Sequence, residues 1–217
     1  MVELPLSKKI RRKKHIDIAL AQDDLVRALY YYFPKAIIHG GTAIWRCFSG
    51  NRFSEDIDVY LSKKDISKLE AFKKALVEFG FETKKFKKTN NAFFFTLKHD
   101  NGAVVKFEGV IKEIKNPVTE GYELIDGNFM VVKTLSLEDF LSEKIDAYLN
   151  RYKVRDLYDV FFLLQKVSPQ KSLKKKIKNF LDRYREPIDK KNLPSLIIVG
   201  TVPRVDDMLK TIQRWAK

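Results

Sequence analysis

Two glycines followed at a set interval by a pair of alternating carboxylates constrain this chain more than any other feature. The segment opens His39-Gly40-Gly41-Thr42, passes through a loop holding Arg52, and closes on Asp56-Ile57-Asp58-Val59-Tyr60. Ahead of the glycines, the apolar run Ala36-Ile-Ile-His39 reads as a buried strand, with Gly40-Gly41 as the turn that leaves it. Thr42 to Phe48 then reads as a helix with Thr42 near its N-cap. Ile57, Val59 and Leu61 alternate with Asp56, Asp58 and Tyr60, which is the period of a half-buried strand. Glycine lets a phosphate approach the backbone closely, and the start of a helix offers free N–H groups and the positive end of its dipole. Asp56 and Asp58, two positions apart, project from one strand face. Carboxylates so placed repel each other unless a cation lies between them, and hard oxygen ligands suit Mg²⁺. Each feature alone has a plainer explanation, a turn for the glycines and a surface aspartate for Asp56. Their joint spacing favours a phosphate cradle beside a metal site.

The surrounding chain supplies the frame. Residues 9–32 are basic at first and then apolar-periodic through Ile16, Leu20, Leu25 and Leu29, a helix that Pro34 ends. Residues 63–79 carry helical spacing through Ile66, Leu69, Phe72, Leu76 and Phe79, stopped by Gly80. Ala92–Lys98 and Ala103–Ile111 flank Asp100-Asn101-Gly102, a strong hairpin signal. Beyond Pro117 the character changes, and Gly121–Gly127 is the expected junction between a first lobe, residues 1–125, and a second, residues 126–217. The second lobe reads as helical over 137–150, 155–166, 171–185 and 205–216, with Ser136-Leu-Glu-Asp139 as a capping pattern for the first helix. Residues 192–203 are apolar and hold two prolines.

Composition limits the chemistry. A single cysteine, Cys47, excludes a disulfide framework and any cysteine-built zinc site. Apolar runs such as Val160–Leu164 fall far short of the ~18 residues needed to span a bilayer. No apolar stretch stands behind the basic N-terminal residues to act as a signal peptide, so a soluble, cytoplasmic protein is expected. The 42 Lys and Arg against 28 Asp and Glu give a formal charge of +14 over 217 residues. That charge points to polyanionic partners such as RNA or nucleotides, or to lysine-rich solvated faces. The lysine clusters lie at 8–14, 84–88 and 171–178.

Two-metal phosphoryl chemistry usually takes a third carboxylate. Glu108, among Val104, Val105, Phe107 and Val110, is the candidate, the alternative being a solvent-facing position beside Lys106. Arg46 and Arg52 flank the glycine helix and the loop, where each can reach a phosphate or pair with an Asp or Glu. His39 reads as a packing residue, and Phe93-Phe94-Phe95 and Tyr30-Tyr31-Tyr32 as core aromatics rather than base-stacking platforms. Lys144 taken alone reads as a solvated helix lysine beside Asp139 or Asp146, and Asp156 and Asp159 as helix-end and surface charges.

Gly40-Gly41, fourteen intervening residues and Asp56-Ile57-Asp58 resemble the signature of the DNA polymerase β-type nucleotidyltransferase superfamily, with a slightly longer gap. Gly-Gly-Thr-Ala-Ile with Arg52-Phe-Ser-Glu-Asp-Ile-Asp58 is similar to its AbiEii/AbiGii branch of toxins from abortive-infection and toxin–antitoxin systems. Leu141-Ser-Glu-Lys144, Ala147 and Arg155-Asp-Leu-Tyr-Asp159-Val resemble the branch's C-terminal motifs. The resemblance runs from about residue 36 to 165. It implies an α/β nucleotidyltransferase lobe, a mixed sheet with flanking helices, followed by a mainly helical lobe closing the active-site cleft. It further implies metal-dependent transfer of a nucleoside monophosphate from an NTP such as ATP or GTP, as a toxin-like activity. The acceptor would be a hydroxyl, with RNA and the tRNA 3′ end as the favoured class, and a cognate antitoxin would be a partner.

By the same resemblance Gly41 and Thr42 contact the triphosphate, Lys144 holds nucleotide phosphates, and Asp56 and Asp58 hold Mg²⁺ or Mn²⁺. Gly40 and Arg52 as further nucleotide-binding residues, and Glu108 as the third ligand, rest on the reading of the residues, since the resemblance aligns no carboxylate at Glu108. Lys144 and Asp159 act together, with Asp156 as the alternative to Asp159. Two rivals stand beside this reading. A catalytically silent module of the same fold would bind nucleotide, RNA or an antitoxin, but would have no need for paired carboxylates. An antibiotic-modifying relative would favour an acidic cleft, against the basic charge found here.

Overall fold

The acidic strand lies at the middle of a mixed sheet. In the computed structural model, which describes residues 5–217, the strands are β1 (Ile37–His39), β2 (Ile57–Leu61), β3 (Phe81–Lys88), β4 (Ala92–His99), β5 (Val104–Ile111), β6 (Val118–Glu123) and β7 (Phe129–Thr134). They form a seven-stranded sheet in the order β3-β4-β5-β2-β1-β7-β6. β2 runs antiparallel to β1 and parallel to β5, and β1 runs parallel to β7. The helices among the described residues are α1 (Leu6–Lys9), α2 (Lys13–Tyr32), α3 (Gly40–Cys47), α4 (Leu69–Ala75), α5 (Leu137–Arg151), α6 (Val154–Leu164), α7 (Lys171–Asp182), α8 (Leu193–Leu196) and α9 (Val205–Trp215). No described helix is long and apolar enough to cross a membrane.

The chain divides into two compact units. One holds the residues up to Ser49 together with Phe53–Thr134; the other holds Gly50–Arg52 and Leu135–Lys217. The first unit is therefore longer than the expected residues 1–125. The expected junction at 121–127 is instead the end of β6 and the turn into β7, and both strands belong to the sheet. Their alternation is masked in the sequence because Phe129 and Val131 face solvent, so β7 reads as a plain apolar run. β3 is likewise absent from the sequence reading. It is a lysine-rich edge strand whose pairing slips between Thr83 and Lys85, which destroys its period.

Period two decides which sheet face is buried. Ile57, Val59, Leu61, Val105, Phe107, Phe93, Phe95 and Leu97 share the covered face, against which α2 and α4 contribute Leu25, Leu29 and Phe72. Phe33 stands 5.2 Å from Phe72, and Phe93 5.4 Å from Phe107, between ring centroids. Gly109, registered with Phe93, makes room for that ring, since a methyl there would collide with it. The sequence placed all three phenylalanines in the core; Phe94, between two buried neighbours, is instead exposed on the opposite face. The predicted helix over 63–79 is a short α-helix, α4, between 3₁₀ turns at 63–68 and 76–79, and Gly80 ends it in the left-handed region at φ 78°. The basic helix expected from residue 9 begins at Lys13, after a break in which Ile10 is extended and buried.

The second unit follows its predicted helices closely. Ser136 caps α5 by accepting from the Asp139 N–H at 3.1 Å, as the capping pattern requires. A left-handed Tyr152 ends α5, and α6 packs against both α5 and α9. α7 is three residues shorter than the predicted 171–185, and the apolar 192–203 segment holds only the single turn α8.

One buried ion pair ties α2, α3 and β6 together. Arg46 donates to Asp23 at 2.5 Å and to the carbonyls of Ala19 and Glu123 at 2.9 Å each, while Asp23 accepts from the Ile125 N–H. Arg46 is thus a structural clip, the acid-pairing role that the sequence allowed it. Burial pushes the Asp23 carboxyl up to about 6, against the pull of Arg46. Arg46→Met leaves that carboxyl buried without its cation and is expected to destabilise the fold by about 3–5 kcal/mol. The cost falls on the ionised form, so the loss should be larger at pH 8 than at pH 5, where protonation relieves it. Chemical denaturation of the variant and wild type at the two pH values checks this.

Candidate active site

The sheet unit brings the glycines and carboxylates together as the spacing demands. α3 starts at Gly40 directly from β1, and Gly40 holds φ 74°, a conformation that favours glycine. The Asp58 carboxylate lies against it so closely that a methyl group on Gly40 would collide with Asp58 Oδ2 and Cγ. Asp58 is registered with His39 of β1 on one side and Glu108 of β5 on the other. Directly registered residues share a sheet face, so Asp58 and Glu108 stand side by side on the face opposite Ile57 and Phe107. Both are half-buried. Asp56 is two residues ahead of Asp58, in the loop that enters β2. His39 has the packing role predicted for it, stacked on Tyr60 with centroids 3.8 Å apart.

Thr42 lies elsewhere than the sequence suggested. It sits inside α3 rather than at its N-cap, fully buried, and its hydroxyl donates to the Asp56 carbonyl at 2.5 Å. Gln22 of α2 donates to the Ser54 carbonyl at 2.9 Å. These two side chains pin the loop that delivers Asp56 and Asp58. The sequence gives no signal for Gln22, because a polar residue on a helix face gives no sign that its partner is a backbone carbonyl 32 residues away.

The helical unit gathers a second cluster. Lys144 of α5 reaches Asp159 of α6 at 2.8 Å and Asp156 at 4.0 Å. Arg52 grips Asp159 through two hydrogen bonds, Nε to Oδ1 at 2.8 Å and Nη2 to Oδ2 at 2.9 Å. Arg151 grips Asp156 in the same two-pronged way at 2.6 and 2.7 Å. Lys144, Arg52, Asp156 and Asp159 are all buried. The reading of Lys144 as a solvated lysine beside Asp139 or Asp146, with Asp156 and Asp159 as surface charges, is therefore overturned. Residues 144, 156 and 159 fall on the facing stripes of two packed helices, where burial turns their charges to each other and to Arg52 and Arg151. Arg52 is a structural partner of Asp159, and its guanidinium reaches it from the short segment 50–52 that Ile198 and Ile197 hold by backbone pairing. Burial opposes ionisation of Asp159, but Arg52 and Lys144 outweigh it and hold the carboxyl down at about 2. The same carboxylate raises the Arg52 guanidinium against its own desolvation.

The donor chemistry in the sheet unit suits a hard divalent cation: Asp58 and Glu108 are adjacent carboxylates of one sheet face, with Asp56 next in line. Among the described residues no three His, Cys, Asp or Glu side chains are drawn together as a ready-made metal group. Asp56, Asp58 and Glu108 are the residues that would hold one.

Asp159 gives a test of the second cluster. Its folded-state value lies below the ordinary 3.8, so its contribution is present above about pH 4 and lost as the pH falls towards 2. A shift of this size corresponds to about 2 kcal/mol. Asp159→Asn should remove that acid-sensitive part of stability. At neutral pH it should cost about 3–5 kcal/mol, because Arg52 and Lys144 lose their shared counter-charge. Denaturant midpoints of variant and wild type from pH 2.5 to 7 read both effects.

The comparisons with known proteins agree with this architecture. The structure of MenT4, a nucleotidyltransferase toxin from Mycobacterium tuberculosis H37Rv, is similar with a TM-score of 0.63 at 17% identity, over 94% of this chain and 89% of that one. JHP933 from Helicobacter pylori is similar with a TM-score of 0.60 at 20% identity, over 91% of this chain and 90% of that one. No curated protein sequence matches the chain. The family described as nucleotidyl transferase AbiEii toxin, type IV TA system, matches residues 23–211, a span that takes in the glycine turn, the acidic strand and the Lys144–Asp159 cluster, and the chain belongs to that family.

Proposed function

We propose that the protein transfers a nucleoside monophosphate from an NTP to an acceptor hydroxyl of RNA, the tRNA 3′ end being the favoured acceptor. One observation carries this reading: Asp58 stands in register with Glu108 and is pressed against the left-handed Gly40 that opens α3. An α-helix leaves its first N–H groups without partners inside the helix, so Gly41 and Thr42 present backbone donors to a triphosphate beside the carboxylates. The Thr42 hydroxyl is committed to Asp56, which leaves its N–H as the group for phosphate.

In the reaction the acceptor oxygen bonds to the α-phosphorus, and the bond from that phosphorus to the departing pyrophosphate breaks. Glu108 receives the hydroxyl proton. Asp56, Asp58 and Glu108 would hold Mg²⁺ or Mn²⁺, which would supply charge neutralisation at the phosphate oxygens. Lys144 holds the phosphates of the NTP, and Asp159, itself fixed by Arg52, positions the Lys144 ammonium. Phosphoryl transfer asks a protein mainly for positioning and charge, which these groups provide. The charge of +14 supports an RNA acceptor. The family's membership of toxin–antitoxin systems supports a cognate antitoxin as partner.

Asp58→Asn keeps the shape and removes a metal-binding charge. It is expected to abolish divalent-dependent pyrophosphate release from NTPs in the presence of bulk RNA, with an unchanged melting curve. Full activity in the folded variant would refute the strand's role.

Lys144→Met is expected to lower kcat/KM for NTP by about one to two orders of magnitude, the worth of a charge-assisted contact of ~1.5–3 kcal/mol. Because Lys144 is buried against Asp159, the variant should also melt lower. A structural role alone would move the melt and leave the KM for NTP in place; the phosphate-holding role moves KM or kcat in the folded variant.

A further inference from the structure

The exposed face that carries Asp58 and Glu108 continues to a cavity that the transfer chemistry does not use. The next registered pair on that face is Tyr60 and Val110, and β5 then runs out to Lys112, whose ammonium lies 4.6 Å over the Tyr60 ring. Tyr60 in turn stacks on His39, the residue paired with Asp58. Lys112 also lines a cavity of about 310 Å³ at the carboxyl ends of β2 and β5. Lys63, Asn90, Asn91 and Glu113 give its other polar lining, and Ile66 and Ile111 its apolar lining. The volume falls in the range of sites that hold small ligands.

The backbone around this cavity is held by hydrogen bonds. The Thr89 N–H donates to the Ala92 carbonyl at 2.8 Å, and the Thr89 hydroxyl accepts from the Ala92 N–H at 3.0 Å, which closes the Asn90-Asn91 turn between β3 and β4. The Asn91 carbonyl accepts from the Ile111 N–H at 2.8 Å, and the Lys112 N–H donates to the Leu61 carbonyl at 3.0 Å. The backbone on three sides is thereby tied down. Among the described residues neither Lys63 nor Lys112 is in an ion pair, and the side-chain amides of Asn90 and Asn91 make no hydrogen bond. An open surface pocket on a tied-down backbone is thus lined by two lysines, two asparagine amides, a glutamate and two isoleucines.

We propose that this cavity is a subsite for the acceptor strand, holding one nucleotide of single-stranded RNA upstream of the hydroxyl that reacts at the Asp58–Glu108 row. The inference rests on the nucleotidyl-transfer reading for the role of that row. Lys112 follows Glu108 by four residues, about 13 Å at ~3.3 Å per residue, so the cavity is set off from the row by more than a single contact. Lys63 and Lys112 neutralise backbone phosphate. The Asn90 and Asn91 amides and the Glu113 carboxylate meet the edges of an unstacked base or a ribose hydroxyl, and the isoleucines cover its flat side. The NTP has its own cradle at Gly40–Gly41 and needs no second one here.

Equilibrium binding of a fluorescent single-stranded oligoribonucleotide to the full chain, followed by anisotropy across a salt series, tests the proposal. Lys63→Gln/Lys112→Gln should weaken binding at least tenfold at 0.15 M salt and lower the log–log salt slope by about 1.4, the release expected for two single-strand phosphate contacts. Lys35→Gln/Lys74→Gln removes the same charge from exposed lysines outside the cavity and should change affinity less than twofold. Equal effects from the two double variants would reduce the cavity lysines to bulk charge and overturn the proposal. Adenosine monophosphate competing as tightly as the oligonucleotide would also overturn it, by making the ligand a free nucleotide. Pyrophosphate release is measured separately on the wild type. If release is absent while the binding pattern holds, the transfer reading fails and the strand site survives; if release is present and the binding pattern fails, the reverse is true.

Discussion

Asp159 is a carboxylate buried between two cations, and the helical unit is arranged around it. A lone charge at that depth would be expelled or neutralised. Arg52 and Lys144 prevent this by meeting both of its oxygens, and Asp156, held by Arg151, completes the set. Arg52 is 107 residues from Asp159 in sequence. It belongs to the loop that joins the glycine helix to the acidic strand, and residues 50–52 of that loop are part of the helical unit. The interval between Gly41 and Asp56 is slightly longer than the generic nucleotidyltransferase pattern, and the excursion of residues 50–52 gives those extra residues a physical use.

How much of this could be read from the sequence depends on whether a local period carried the signal. The Asp56-Ile57-Asp58 alternation and the Gly-Gly turn are local, and both are kept in the structure: Ile57 is buried with Asp58 half-buried beside it, and α3 starts at Gly40 directly from β1. The capping pattern at Ser136 and the turn at Asp100-Asn101-Gly102 are local too, and each closes the element it announced. Lys144 was different. Its neighbours in sequence, Asp139 and Asp146, are the partners that a helix surface suggests, whereas its partners in space lie on the next helix. Nothing in a helical period says whether a lysine on one stripe is covered by a second helix carrying acids at matching positions.

Strands β3, β6 and β7 escaped for a related reason. Strand patterning is legible when one face is covered and the other is polar. β7 exposes Phe129 and Val131 on its open face, and β3 carries lysines on an edge and slips its register. In both cases the departure from simple alternation reflects the open side of the sheet. Arg46 and Arg52 show the limit of a motif as evidence: both flank the Gly40-Gly41 segment, and both spend their guanidinium groups on buried carboxylates. Their contribution is to hold elements in place.

The unequal treatment of the two sheet faces is the last consequence. The face of Ile57, Val59 and Phe107 is sealed by aromatic packing, so α2 and α4 have no reason to reach round to the other side. The opposite face keeps Asp58 and Glu108 half-buried and leaves Phe94, Val104 and Val110 exposed beside them. For a protein that only had to fold, such a surface would be a liability. Carboxylates placed beside exposed apolar residues, on a sheet anchored by a full aromatic core, are what the proposed transfer reaction asks of this face. A carboxylate pair without that apolar border could bind an ion, but would have little with which to hold the rest of an acceptor. The sealed face supplies the stability, and because period two separates the two faces residue by residue, the open one can be specified without disturbing the core.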